Sequence, residues 1–365
     1  GLGDVYKRQL YAVQGQSPWL DNLRRDEILN GHVADLVDRG VRGITSNPTI
    51  FQKAIMSSSA YDEKIARSAK RGDSIHQIYW DLVVDDVIEA CRILSRVYDD
   101  SNGDDGFVSL EVDPHLSADS SGTVKMAQEL ARRVDCPNLM IKVPATVACL
   151  PAISEILGRG ISVNVTLIFG LVRYRQVLDT FVLGMQRCAQ THPDRLHAVR
   201  SVASFFVSRV DSTVDPRLIA ANRHELCGHT AVHQARAAYA MQDDFFSSSR
   251  AWVALQELGA VRQRPLWAST STKNPDYPDL LYVDQLIGPN SVNTLPEPTL
   301  IAFEDHGTVA RTIDRDVTTS IAFLEQLLTL GIDMDEVADT LEREGISAFA
   351  LSFDQLLEAL STKVR

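Results

Sequence analysis

The chain has 365 residues, of which 45% are apolar and 23% are charged. This balance is typical of a globular protein with a large core, and the length suits one α/β barrel with added segments. The formal net charge is −12, from 36 basic and 48 acidic residues. The average field therefore repels a phosphate-rich polymer, which disfavours nucleic-acid binding but is compatible with a local basic pocket for one small phosphate.

The cysteine pattern and the N-terminal sequence indicate the cellular compartment in which we expect the protein. The five cysteines are scattered and never form a C-x-x-C pair, so we expect reduced thiols in a cytoplasmic protein, without a disulfide framework or zinc site. No apolar run is long enough to span a bilayer, and the N-terminus lacks a secretory pattern, so no membrane partner is expected. Residues 1–9 are predicted to be a non-native or disordered leader, and residues 10–365 one domain.

Short β-like runs alternate with longer amphipathic segments along the chain. The runs are Ser17–Asp21, Arg42–Ser46, Gly106–Val112, Asn138–Val143, Ile161–Ile168, Arg200–Phe206, Arg264–Thr270 and Ser291–Leu295. Strands that alternate with helices pair in parallel, and eight units favour a closed (β/α)8 TIM barrel over an open doubly wound sheet. The open sheet normally has a glycine-rich first turn, whereas the turn at 21–24 contains no glycine.

The segments between the runs have apolar residues at helical spacing. The predicted helices are Asp26–Arg39, Ser74–Tyr98, Ser117–Val134, Leu171–Cys188 and Pro216–Phe245. We predict that the sequence after Pro298 is purely helical and forms a C-terminal helical cap. Its three predicted helices are Val317–Leu328, Asp335–Glu344 and Ile346–Ser361.

Three of the predicted strands carry polar side chains where a barrel strand should be apolar. Lys142 is the only charge in the fourth run, and Glu111 lies among aliphatic residues in the third. Asn164 and Thr166 share one face of the fifth. Alternation along a strand places these side chains inside the barrel, near the mouth where barrel enzymes keep their chemistry.

Lys142 has two interpretations. A buried lysine needs a partner or a role, so a structural ion pair with Glu111 is one of them. The other is catalysis, because burial disfavours the ammonium form and leaves an amine that can attack a carbonyl. Such Schiff-base chemistry also needs a carboxylate to move protons, for which Glu111 and Asp21 are the candidates.

Six short segments, each at the end of a predicted strand, occur in the order found in transaldolases. They are WLDNL (19–23), ITSNPT (44–49), VSLEV (108–112), MIKVPAT (140–146), NVTL (164–167) and SFFVSR (204–209). From about residue 10 to its end, the chain therefore resembles the longer bacterial form of the transaldolase family. Cys149 and Ser271 stand where that family's pattern leads us to expect glycine.

The resemblance implies catalytic roles for four residues. Lys142 would form the Schiff base with the substrate ketone, and Asp21 would be the acid–base group at the hydroxyl next to the breaking bond. Glu111 would move protons at the imine carbon through a water held by Thr166. The family implies neither a metal nor an organic cofactor.

The resemblance also implies substrate-binding roles. The residues implied to hold the substrate or the lysine are Thr45, Asn47, Asn164, Ser204 and Phe206. Arg209, Ser269 and Lys273 would bind the phosphate, to which hydroxyl donors and a point charge are suited. An alternative for Arg209 is a surface ion pair with Asp211 or Asp215.

The implied function is transfer of a dihydroxyacetone unit in the pentose phosphate pathway. The donor would be sedoheptulose 7-phosphate or fructose 6-phosphate, and the acceptor glyceraldehyde 3-phosphate or erythrose 4-phosphate. The alternatives are a fructose-6-phosphate aldolase-like lyase, which Glu111 and Phe206 disfavour because they follow the transferase pattern, and a barrel that only binds sugar phosphates. A metal-dependent enzyme is disfavoured because His115, His192 and His197 are not paired with carboxylates at ligand spacing. We expect a monomer or a homodimer.

Overall fold

The computed structural model describes residues 10–364, and its centre is a closed barrel of eight parallel strands. The strands are β1 (Gln16–Leu20), β2 (Gly43–Thr45), β3 (Phe107–Glu111), β4 (Leu139–Pro144), β5 (Val163–Ile168), β6 (Ser201–Phe206), β7 (Arg264–Ala268) and β8 (Ser291–Leu295). Each boundary lies within two residues of the run predicted from the sequence, so the predicted barrel is confirmed. The predicted leader, residues 1–9, lies outside the described residues.

Helices follow the strands in the chain. They are α1 (Arg25–Leu29), α2 (His32–Asp38), α3 (Pro48–Ser57), α4 (Asp62–Arg71), α5 (Ile75–Asp100), α6 (Ser120–Val134), α7 (Leu150–Gly158), α8 (Leu171–Thr191), α9 (Ser208–Ala220), α10 (Thr230–Ser248), α11 (Arg250–Glu257), α12 (Leu281–Gln285), α13 (Glu297–His306), α14 (Val317–Thr329) and α15 (Met334–Val364). Short 3-10 helices lie at Ser59–Tyr61, Pro114–Ala118 and His224–Leu226. Within residues 10–364, no helix combines the length and apolar character needed to cross a membrane.

Several predicted helices differ from the observed ones. Gly31 has φ +86 and divides the predicted Asp26–Arg39 into α1 and α2, because a left-handed residue ends a right-handed helix. The predicted Pro216–Phe245 is also two helices: Pro216 lies inside α9, and Gly228, with φ +77, precedes α10. By contrast, the last two predicted C-terminal helices are one continuous helix, α15.

Helix α15 crosses the carboxyl-terminal end of the barrel and directs Phe349 into its mouth. Two glycines permit the close approach. A Cβ atom on Gly345 would lie 3.0 Å from Leu167 Cδ2, and one on Gly170 would lie 2.6 Å from Ala338 Cβ. Gly345 lowers intrinsic helix propensity by roughly 1 kcal/mol relative to alanine, but it lets the helix continue across β5 without a clash.

The amino-terminal end of the barrel contains a buried carboxylate, Asp105, which has 0% exposure. It accepts hydrogen bonds from Trp19 Nε1 and Arg42 Nε, both at 2.8 Å, and from the Ser17 hydroxyl. Arg264 Nη2 lies 3.5 Å from the same carboxylate. Two guanidinium groups and two neutral donors surround this single charge, which is the environment that a buried ion requires.

Candidate active site

Strands β3, β4 and β5 bring three polar side chains together near the barrel mouth. In the register of the sheet, Glu111 lies beside Lys142, and Lys142 lies beside Asn164. The neighbours of the lysine, Ile141 and Val143, point to the opposite face and are fully buried. The alternation seen in the sequence therefore produces the polar cluster directly.

The Lys142 amine is buried, with 4% of the residue exposed. Its Nζ donates a hydrogen bond to Ser46 O at 3.1 Å and lies 3.2 Å from Glu111 Oε2. The Phe349 ring centroid lies 5.7 Å from the same nitrogen. Burial raises the pKa of Glu111, and the Lys142 charge opposes that rise. The ion pair expected under one interpretation is present, and the lysine also lines the cavity at the mouth, as the catalytic interpretation requires.

Asp21 follows β1 directly and lines the same cavity. Its Oδ1 accepts a hydrogen bond from Thr45 Oγ1 at 2.7 Å, and that hydroxyl lies 2.6 Å from Thr294 Oγ1. The Asp21 backbone N–H donates to Leu295 O at 2.8 Å. The strands on both sides of β1 thus fix the position of this carboxylate.

A row of hydrogen-bonded side chains crosses the barrel interior beside the lysine. Ser204 Oγ donates to Asn164 Oδ1 at 2.7 Å, and Asn164 Nδ2 donates to Ser109 Oγ at 3.0 Å. All three residues are buried. Because both ends of the Asn164 amide are bonded, its orientation next to Lys142 is defined.

Thr166 lies at an irregularity in β5. The register between β5 and β6 shifts between Val165 and Ile168, and Leu167 has φ +59. Such bulges re-aim side chains and are frequent next to active sites. The Thr166 hydroxyl is buried and has no hydrogen-bond partner among residues 10–364, so it is available to bind a water or substrate group.

Two cationic side chains and a serine lie at one side of the cavity. They are Arg209, Lys273 and Ser269. The Arg209 guanidinium lies 5.5 Å from the Phe206 ring centroid, and no described residue forms an ion pair or a hydrogen bond with it. Burial lowers the pKa of Arg209; burial and the Arg209 charge lower the pKa of Lys273. Two neighbouring cations of this kind attract an anion.

The backbone places these groups by local hydrogen bonds. Ser269, directly after β7, has φ +56, and its carbonyl accepts a hydrogen bond from the Ser208 N–H at 3.0 Å. The two serine hydroxyls lie 2.9 Å apart. Lys273 Nζ donates to Ser271 Oγ at 2.9 Å. Asp211 and Asp215 do not pair with Arg209, because each accepts hydrogen bonds from a backbone N–H and a tyrosine hydroxyl instead.

A cavity of 120 Å³ at the mouth brings most of the predicted site together. The predicted residues that line it are Asp21, Thr45, Asn47, Lys142, Thr166, Ser204, Phe206, Arg209, Ser269 and Lys273. Glu111 and Asn164 do not line it but contact Lys142 and Ser204. A larger groove of 790 Å³, near Cys136 and Arg195 at the other end of the barrel, contains none of the predicted site residues.

The model of the transaldolase/fructose-6-phosphate aldolase family matches residues 18–360. The chain belongs to this family. Transaldolase 1 of Streptomyces avermitilis is 47% identical over 357 residues, which cover 96% of this chain and 94% of the relative. The transaldolase of Frankia alni is 48% identical, with 97% and 96% covered, and that of Thermobifida fusca is 46% identical, with 98% of each covered. The protein is thus an enzyme of the transaldolase type.

This transaldolase-family site also contains residues that the sequence reasoning missed. Thr294 in β8 contacts the Thr45 hydroxyl. Its position late in a predicted strand, where Thr166 also lies, is a sequence signal that could have identified it. Ser46 contributes its backbone carbonyl and Phe349 its ring. Neither could be predicted, because backbone groups have no sequence signature and the ring comes from a helix almost at the chain's end. Asn47 has a second role, since its side-chain Oδ1 accepts a hydrogen bond from the Ile50 N–H and caps α3.

The two departures from the family pattern do not strain the backbone. Cys149 has φ −91 and ψ −13, a right-handed conformation open to any residue. It packs its sulfur 3.4 Å from Ser117 O. Ser271 lines the cavity and accepts the hydrogen bond from Lys273. Within residues 10–364, no group of three or more histidine, cysteine or acidic side chains is arranged to hold a metal ion.

Proposed function

We propose that this enzyme transfers a dihydroxyacetone unit from a ketose phosphate to an aldose phosphate through a Schiff base on Lys142, in the cytoplasmic pentose phosphate pathway. The observation that carries the proposal is a buried lysine amine that lies 3.2 Å from a buried carboxylate. This amine lines a cavity together with Arg209 and Lys273, neither of which forms an ion pair within residues 10–364. The relatives named transaldolase support the same reaction. The proposed donors are sedoheptulose 7-phosphate and fructose 6-phosphate.

Imine formation is the first chemical step. The phosphate binds at Arg209, Ser269 and Lys273, which directs the ketone towards Lys142. The amine attacks the C2 carbonyl, and the carbinolamine loses water to give a protonated imine. Glu111 supplies and accepts the protons of this step. Burial raises the pKa of Glu111 and so favours its protonated form, whereas the Lys142 charge favours its ionised form. The buried Thr166 hydroxyl holds the water through which they move.

Carbon–carbon cleavage then uses Asp21. Its carboxylate takes the proton of the C4 hydroxyl, the C3–C4 bond breaks, and the electron pair enters the imine as an enamine. The aldose leaves, while Asn164 and Ser204 hold the hydroxyls of the remaining three carbons. An incoming aldose phosphate reverses these steps, Asp21 returns the proton, and hydrolysis releases the new ketose.

Borohydride trapping tests the Schiff base. We expect that reduction in the presence of fructose 6-phosphate adds the substrate carbon skeleton covalently to Lys142, as peptide mass spectrometry would show. The Lys142→Met variant should give no adduct and lose at least about 10⁴-fold in kcat, because the covalent intermediate cannot form. A wild-type enzyme that gains no adduct, or a variant with near-normal turnover, contradicts the proposal.

The transferase and the lyase alternative differ in whether the reaction requires an aldose acceptor. A transferase holds the dihydroxyacetone unit until an aldose arrives, so fructose 6-phosphate should be consumed in multiple turnovers only when erythrose 4-phosphate is added. Sustained release of free dihydroxyacetone without an acceptor would instead identify a lyase. The same kinetics after treatment with EDTA should be unchanged for metal-independent Schiff-base chemistry.

A further inference from the structure

Two buried carboxylates on α9 have no part in the proposed chemistry. Asp211 and Asp215 are one helical turn apart, with exposures of 1% and 8%. Asp211 accepts hydrogen bonds from the Ala231 N–H at 2.7 Å and from the Tyr282 hydroxyl at 2.8 Å. Among the described residues neither forms an ion pair with an arginine or lysine, so their buried charges depend on these hydrogen bonds.

Asp215 has the same arrangement. It accepts hydrogen bonds from the Gly228 N–H at 3.0 Å and from the Tyr277 hydroxyl at 2.7 Å. The Tyr277 ring packs on Gly228, where a Cβ atom would come within 2.8 Å of the ring. Here we call Asp211, Asp215, Tyr277 and Tyr282 the tyrosine–carboxylate clamp.

Tyr277 lies in the loop that carries Ser269 and Lys273, and Tyr282 lies in α12, directly after that loop. Tyr277 lies four positions after Lys273 in the loop between β7 and α12. Thr272 Oγ1 donates to Pro278 O at 2.9 Å and to Asp279 O at 3.1 Å, which closes this loop on itself. These bonds join the two halves of the loop, and the Tyr277 hydroxyl connects the loop to α9 through Asp215.

Helix α9 carries the other cation. Arg209 lies in its first turn, and Asp211 and Asp215 follow on the same helix. The clamp thus connects the loop of Lys273 to the helix of Arg209. Without an anion between them, the two like charges repel each other, so their closeness needs a structural constraint.

We propose that the tyrosine–carboxylate clamp positions Lys273 against Arg209 and thereby sets the enzyme's affinity for the phosphate end of its substrate. The inference rests on the proposed function, because it takes these two cations as the phosphate site. Its members are positioning residues that act through the two cations. Loss of one clamp hydrogen bond should weaken phosphate binding and leave imine formation unchanged.

Tyr277→Phe is the sharpest test, since it removes one hydroxyl and keeps the ring on Gly228. We expect KM for fructose 6-phosphate, and the inhibition constant of inorganic phosphate, to rise about five- to tenfold, as for loss of a hydrogen bond to a charged group. kcat should stay within about twofold, because the strand-borne groups are untouched. Asp215→Asn retains an oxygen acceptor and should show a smaller rise.

Tyr239→Phe is the matched control. Its hydroxyl donates to Pro289 O at 2.9 Å, away from the loop and α9, so the variant loses one hydrogen bond without touching the clamp. An unchanged KM in this control supports the inference. An equal rise in both variants, or a fall in kcat at constant KM in Tyr277→Phe, would overturn it.

Trapping with unphosphorylated dihydroxyacetone and borohydride separates the two proposals. Labelling of Lys142 in wild type and in Tyr277→Phe at equal rates, together with the raised KM, supports the clamp. Equal labelling rates with an unchanged KM in Tyr277→Phe refute the positioning role of the clamp but leave the proposed function standing. Absence of labelling in the wild type with either dihydroxyacetone or fructose 6-phosphate refutes the proposed function itself.

Discussion

The two ends of the barrel both bury charge, but they satisfy it differently. At the amino-terminal end, Asp105 is surrounded by two arginines, a tryptophan N–H and a serine hydroxyl. At the mouth, Lys142 and Glu111 contact each other, while the Thr166 hydroxyl and the Arg209 guanidinium have no hydrogen-bonding partner among residues 10–364. Burial alone therefore does not identify a functional charge.

The degree of hydrogen-bond satisfaction is the better guide. A buried ion with a full set of partners holds the fold together, and removing it leaves uncompensated charges behind. Buried polar groups with unused hydrogen-bonding capacity weaken the fold. At the mouth, Thr166 and Arg209 also line a cavity in which a substrate can supply the missing partner. The comparison predicts that substitutions at the two ends will affect different measurable quantities.

Asp105→Ala should have the largest effect on stability. It leaves Arg42 and Arg264 without their shared carboxylate, at a cost of about 3–5 kcal/mol in the free energy of unfolding. Urea denaturation would measure this loss, and kcat per folded molecule should remain near the wild-type value. If Asp105→Ala had wild-type stability, or were stable but inactive, the proposed difference between a structural amino-terminal end and a functional mouth would be wrong.

Glu111→Gln should show the opposite pattern. Loss of the acid–base group should lower kcat by about 10² to 10³-fold. The free energy of unfolding should fall less than in Asp105→Ala, because glutamine keeps the shape of the side chain and an oxygen acceptor beside the Lys142 amine. Steady-state kinetics and denaturation on the same preparation test both parts. A large stability loss with retained kcat would mark Glu111 as structural.

Gly170→Ala examines how the mouth is covered. The added Cβ would lie 2.6 Å from Ala338 Cβ, and the overpacking should cost about 1–3 kcal/mol in the free energy of unfolding. A double-mutant cycle with Ala338→Gly supplies the control, because this second change removes the methyl group that clashes. In the Ala338→Gly background, Gly170→Ala should therefore cause little loss in the free energy of unfolding. Additive effects would show that α15 does not depend on this contact.

Asp211 provides a carboxylate without a cation, in contrast to Asp105. Burial raises the pKa of Asp211 to about 7, above its ordinary value, so the folded state binds a proton that the unfolded state has released. The stability advantage of wild type over Asp211→Asn should therefore shrink by about 2 kcal/mol as the pH rises from 5 to 7. Urea denaturation at both values measures the change, and a pH-independent difference would contradict it.

Local patterns predicted the eight strands and the polar side chains that meet inside the barrel. Lys142 and Glu111 were identifiable because a charge inside an apolar run is rare unless it has a partner or a role. Helix boundaries were less predictable where tertiary packing overrides propensity. Gly345 suggested a break between two helices, yet α15 continues through it because the missing side chain allows contact with Leu167.

Features formed by distant segments could not be predicted from local patterns. Phe349 reaches Lys142 only because α15 returns across the barrel. The bond between Tyr277 and Asp215 joins residues 62 positions apart. Neither residue has a local signature, since an aromatic in a helix or loop usually indicates only packing.

Of the groups proposed for bond making, Lys142, Glu111 and Thr166 lie on strands and Asp21 directly follows one. Two of the proposed phosphate ligands, Ser269 and Lys273, lie instead on the loop after β7, outside the barrel's hydrogen-bonded ladder. The two tasks can consequently change independently over evolution. Exchange of residues 269–280 should change which substrate end groups the enzyme binds, while the Lys142 amine and the carboxylates near it keep their positions. That division makes the scaffold a suitable start for laboratory selection of carboligases that accept unphosphorylated ketones.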